Sequence, residues 1–181
     1  MNQLNRINFN RIIVSPHDFF LCGSFLFLMI LSRLIPHPPD LTPTIVLSVL
    51  LRKWSARDEA VIVVLLGQGI SDILLSFLYH YPLWGSWSFF VYSGLIFSTL
   101  FFRFNLFQLL SATFLFWLWT NLGVFLFSGL YFHSVTEFIR CYVLALPFLS
   151  YSFLGVIFYY GLIRGLALDR EPLNRVFFTA L

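Results

Sequence analysis

Charge is scarce in this chain: Asp, Glu, Lys and Arg make up only 10% of its 181 residues. The basic residues do not gather beside helix or turn signals as a nucleic-acid surface requires, which excludes nucleic acid as a partner. Catalytic signatures are missing as well. There is no His-Glu-x-x-His helix, Gly-x-Ser-x-Gly elbow, phosphate loop or Cys-x-x-Cys pair. Gly67-Gln68-Gly69-Ile70-Ser71 departs from the dinucleotide fingerprint. The expectation is a protein that is not an enzyme and holds no resident metal or cofactor. Cysteine occurs twice, as Cys22 and Cys141 in or beside apolar segments, so no disulfide framework is expected. Repeats and low-complexity tracts are absent too, and residues 1–181 read as one domain.

What fills the chain is apolar. It is 59% hydrophobic and 20% aromatic, with 24 phenylalanines and a mean hydropathy of +0.85. A soluble domain of this size needs a polar coat, and a lipid environment removes that requirement. Six apolar runs stand out: about Phe19 to Leu34, Leu41 to Leu51, Ala60 to Tyr79, Trp87 to Phe102, Leu106 to Phe127 and Phe138 to Ile163. The predicted fold is therefore an all-α integral membrane protein, a six-helix bundle. The second run falls short of the roughly 20 residues that a hydrocarbon core requires. Tilt, a re-entrant path, or snorkelling of Asp40 and Arg52 to the two surfaces are its alternatives.

Basic residues decide whether that short run crosses. With six spans and a cytoplasmic amino end, Arg6, Arg11, Arg52, Lys53, Arg57, Arg103, Arg164, Arg170 and Arg175 fall inside, and only Arg33 and Arg140 outside. With five spans, only Arg6, Arg11 and Arg140 fall inside. The positive-inside rule favours six, both termini cytoplasmic, with residues 1–17 a short leading segment and 165–181 a tail. Arg33-Leu34-Ile35-Pro36-His37-Pro38-Pro39 follows the first run where a signal peptide would carry small residues, so that run is expected to be retained.

Asp72 is the most informative residue, an acid within the apolar stretch from Val61 to Phe77. An ionisable group at such a depth needs a polar partner, a proton or water. Gln68, Asp72, Ser76 and His80 recur every four residues and so share a helix face. Thr113, Trp117, Thr120, Asn121 and Ser128 form a looser counterpart in the fifth run. Asp72 and Asn121 are expected to line one cavity open to the outer loops, which carry His37, Asp40, His80, His133 and Glu137 beside Tyr81, Trp84, Trp87 and Tyr131. The alternative is structural: Asp72 bonded to Asn121, a hydroxyl or Arg33 as a tie between helices, within a membrane scaffold or assembly protein that moves no solute. Pro36, Pro38 and Pro39 stiffen the first outer loop, and Pro147 predicts a kink in the last run, with Ser150 and Ser152 close by. The glycines, Gly67, Gly69 and Gly123 among them, read as packing notches.

Four blocks carry a resemblance: Arg33 to Pro43, Ser71-Asp72-Ile73, Thr120 to Tyr131, and Cys141 to Phe148. They resemble a family of small, uncharacterised bacterial membrane proteins of six helices. That family is distantly similar to the S components of energy-coupling-factor vitamin transporters. The resemblance implies an S-component-like bundle in the bacterial inner membrane that binds a vitamin or other small solute from outside, including a cobalamin-type ligand, and moves it across the lipid bilayer. It places Arg33, His37, Asp40, Asp72 and Asn121 around the solute, with Tyr131 and His133 as covers and His80 as a cobalt-side imidazole. An energy-coupling transmembrane subunit with ATPases is the partner it implies. Leu21-Cys22-Gly23-Ser24-Phe25 lacks the paired alanines of such docking helices, so a solitary carrier stays open beside it.

Overall fold

The computed structural model describes residues 16–37, 40, 41, 43–80, 85–166 and 168. Among them the chain is all-helical, with six helices: α1 Pro16–Leu34, α2 Thr44–Trp54, α3 Arg57–Tyr79, α4 Ser88–Phe101, α5 Leu106–Phe127 and α6 Val135–Gly165. Each expected run became one helix. Residues 1–15 and most of 167–181, the expected terminal segments, lie outside the described residues, as do Tyr81 and Trp84.

Local chemistry sets the ends. The Asn105 side chain accepts a hydrogen bond from the Gln108 backbone N–H at 2.9 Å, capping α5, and Ser134 does the same for Glu137 at the start of α6. Glu59 reaches back to accept from the Ala56 N–H at 3.2 Å before α3. α3 stops at His80, whose left-handed φ of 54° ends the backbone ladder. α6 runs unbroken for 31 residues with Pro147 inside it. Ser150 and Ser152 donate to the carbonyls of Leu146 and Phe148, four residues back.

α2 organises the bundle. Its residues from Thr44 to Leu51 are all buried, and it touches all five other helices. A helix apolar on every side is stable only when enclosed, and here protein encloses it. At a rise of 1.5 Å per residue its 11 residues give about 16 Å, roughly half a hydrocarbon core. The short run is thus the buried axis of the bundle rather than a lipid-length span. Around it, α1 and α3 run parallel, while α4 and α5, and α5 and α6, pair antiparallel. Gly123 permits one of these contacts, since a Cβ there would stand 2.5 Å from Cγ of Phe90.

The outer surface differs in kind. Phe19, Phe27, Ile62, Phe77, Leu154 and Phe158 are all large, apolar and exposed, far beyond the isolated patches of a soluble monomer. α3, α5 and α6 are long and apolar enough to cross a membrane. Neither Cys22 nor Cys141 forms a disulfide.

Candidate solute-binding site

Asp72 sits in a polar knot that joins three helices. From α1, Nη1 of Arg33 lies 2.7 Å from Oδ1 of Asp72, 2.6 Å from Oγ of Ser71 and 3.2 Å from the Gln68 carbonyl. From α4, the Tyr92 hydroxyl donates to Oδ2 at 2.9 Å. Within α3, the Gln68 amide reaches both carboxylate oxygens at 3.2 and 3.3 Å, as the four-residue spacing allows. The Ser71 hydroxyl donates to backbone carbonyls one turn back and accepts from Arg33. A carboxylate offers about four lone-pair sites, and these contacts use nearly all of them. The Arg33 and Asp72 side chains keep 20% and 19% of their surface exposed, facing a chamber.

That chamber has a volume of about 530 Å³, in the half of the bundle nearest the α1–α2 and α3–α4 connections. Its floor is the start of α2 at Thr44 and Ile45, and Tyr92, Trp87, Phe116 and Val156 wall it. A second chamber of about 390 Å³ lies between α5 and α6, bounded by Trp117, Asn121, Tyr131, Cys141 and Phe148. Asp40, Phe116, Thr120 and Ser152 line both, so the two meet at that wall. Both volumes are of ligand-pocket size.

Asp40 is held there by its loop. It has a φ of 62°, a left-handed conformation that Asp tolerates better than most residues. Next to it, the Leu41 backbone lies against Gly155, where an added Cβ would be only 3.5 Å away, which seats Leu41 on α6. The Asp40 carboxyl has open surface yet is surrounded by protein on most sides, as in a solvent-open chamber. Desolvation raises its pKa above the usual carboxylate range, opposed by the nearby His37 and by Arg33.

The expected site residues divide accordingly. Arg33 and Asp72 line the first chamber, Asn121 and Tyr131 the second, and Asp40 both. Asp72 and Asn121 therefore occupy adjoining chambers rather than one cavity, and the Asn121 amide donates to the Trp117 carbonyl of its own helix at 2.8 Å. His37 neighbours Asp40, and its Nε2 is buried with no hydrogen-bond partner among the described residues. His80 and His133 line neither chamber. His80 is exposed at the end of α3, and His133 lies against the Leu126 carbonyl and the Phe125 ring. Tyr92 and Ser71 were missed as parts of the knot; a single phenol among the apolar residues of α4 was the available signal. Among the described residues no three His, Cys, Asp or Glu side chains converge as a metal set would.

Fold and site together define a six-helix bundle whose apolar interior is interrupted by one polar knot and a two-lobed chamber. The chain belongs to the Family of unknown function (DUF6580), which it matches over residues 15–170. No curated protein and no solved structure matches it.

Proposed function

We propose that this chain is a multi-pass membrane protein that binds a small polar organic solute in the paired chambers and moves it across the bacterial inner membrane, in the manner of an S component. The observation that carries the reading is the chamber pair itself, walled in part by Arg33, Asp40, Asp72 and Asn121 inside a largely apolar bundle. A scaffold needs no such volume. The apolar exterior suits lipid, which leaves the chambers as the place where a polar solute meets protein.

Charge supports the orientation. Arg52, Lys53, Arg57, Arg103 and Arg164 cluster at the end away from the chambers. At the chamber end Arg33 is paired with Asp72 and Arg140 with Glu137, at 2.7 and 3.3 Å. Both ends of the chain then lie in the cytoplasm and the chambers open outward. His80 stands apart from the chambers, so a solute smaller than cobalamin fits the site better. The chain carries no phosphate-loop motif, so ATP-driven movement requires a partner with ATPases, and a solitary carrier relies on the solute gradient.

The scaffold reading has one observation in its favour: Asp72 is so fully engaged that it serves as a tie between α1, α3 and α4. The two readings separate in a native mass measurement on protein extracted from its own membrane. A carrier retains a small molecule that Asn121→Ala or Asp40→Asn weakens; a scaffold retains none, whatever the variant.

A further inference from the structure

Two carboxylates face the chambers, and only Asp72 has a bonded ion-pair partner among the described residues, while Asp40 feels Arg33 and His37 only at a distance. Asp72 is matched by Arg33 at 2.7 Å and receives further donors from Gln68 and Tyr92. Asp40 makes no hydrogen bond or ion pair among the described residues, although it lies where the two chambers join. The first turn of α2 brings a fractional positive charge of about one half to the chamber floor, too little to offset a whole negative one. Among the described residues the charged side chains that line the chambers are Arg33, Asp72 and Asp40, one cation against two carboxylates. Aromatic faces surround them: Trp87, Tyr92 and Phe116 in the first chamber, Trp117, Tyr131 and Phe148 in the second. Rings beside a carboxylate with no bonded partner attract a positive group on an apolar frame, by charge pairing and by cation–π contact.

On the carrier reading above, we infer that the solute is a small organic cation whose amine or quaternary ammonium sits at Asp40, with its apolar parts extending into one or both chambers. Asp72 positions Arg33 and keeps it from repelling the ligand; Asp40 is the ligand's counter-ion. An anion has less to gain, because binding to Arg33 means competing with Asp72 at close range.

The test uses full-length protein purified in detergent and two probes of matched shape and opposite charge, benzyltrimethylammonium and phenylacetate. Binding is followed by equilibrium dialysis and by the fluorescence of Trp87 and Trp117, which line the two chambers. Benzyltrimethylammonium is expected to bind saturably and at least about tenfold more tightly than phenylacetate. Asp40→Asn is expected to weaken the cation by about tenfold or more with an unchanged melting temperature, since Asn accepts the left-handed conformation as readily as Asp. Asp40→Glu retains part of the affinity. Stronger binding of phenylacetate, or equal cation binding by Asp40→Asn, overturns the inference and leaves the carrier reading standing. Absence of binding by either probe up to millimolar concentration also overturns it. The native mass measurement then judges the carrier reading separately, for a neutral or acidic molecule retained on extraction sustains it.

Discussion

Asp72 and Asp40 are the two acids of the chamber region, and the protein treats them in opposite ways. Asp72 projects from the middle of a 23-residue apolar helix and is surrounded by donors from α1, α3 and α4. Asp40 lies between α1 and α2, next to Leu41 whose backbone packs on α6, and meets no donor among the described residues. The difference follows from what each position can tolerate. A carboxylate deep in apolar surroundings costs several kcal/mol unless fully paired, so the position demands a knot. A carboxylate outside the helices, with open surface beside a chamber, keeps part of its hydration and does not need such a knot. Acid depth in the sequence therefore marks the structural tie, and the shallower acid is the one without a bonded partner among the described residues.

The sharpest way to break this comparison is to remove Arg33. Arg33→Met leaves Asp72 with only the Gln68 and Tyr92 donors, and loss of one partner from a largely buried pair costs about 3–5 kcal/mol. Unfolding by sodium dodecyl sulfate in mixed micelles should register that loss. Arg33→Met combined with Asp72→Leu should recover a large part of it, because an apolar pair replaces the stranded charge. Asp40→Asn should leave the unfolding midpoint in place. Equal destabilisation by Asp40→Asn makes the two acids alike and ends the distinction.

Much of this architecture was legible in the sequence. Six apolar runs gave all six helices, because a long apolar stretch set in lipid satisfies its backbone only by helical hydrogen bonds. The helix-face spacing of Gln68 and Asp72 correctly joined them. Arg33 was placed near the site, and the alternative of an Arg33 tie to Asp72 is what the structure contains. Two things were not legible. The burial of α2 depends on contacts with all five other helices, and its 11 residues alone left tilt, re-entry and snorkelling open. The split between Asp72 and Asn121 depends on how α5 and α6 close a second chamber around Tyr131 and Cys141, a long-range packing result. Tyr92 escaped notice because its bond to Asp72 depends on how α4 packs against α3.

A second prediction sharpens the contrast through pH. Burial raises the Asp40 pKa, and on the proposal of a cationic solute its ionised form is the counter-ion. Affinity for benzyltrimethylammonium, which keeps its charge at every pH, should be level above the raised pKa and fall below it by up to about tenfold per pH unit. Cation binding stabilises the ionised carboxylate, so protons are released on binding within that window. The groups facing Asp40 are His37 in its own loop, Arg33 on α1, Asp72 on α3, and Tyr131 and Cys141 across the second chamber. In Asp40→Asn the slope should vanish. A slope that persists belongs to one of those neighbours and removes Asp40 from the binding step.

The smallest effect is expected from the histidines that sequence reasoning drew into the site. His80 terminates α3 in a left-handed conformation with its ring exposed, and His133 rests on the Leu126 carbonyl at 3.3 Å beside the Phe125 ring. Neither lines a chamber, and exposed substitutions away from a packed or charged feature typically change stability by less than about 0.5 kcal/mol. His80→Asn keeps the helix-ending geometry, and His133→Ala removes a long hydrogen bond and one ring contact. Each should change probe affinity by less than about twofold in the same dialysis assay. A tenfold loss in either variant would show that the chamber mouth extends over that loop when the solute is bound. Binding would then rest on the loops as well as on Asp40, and the contrast between one tied acid and one open acid would no longer suffice to describe the site.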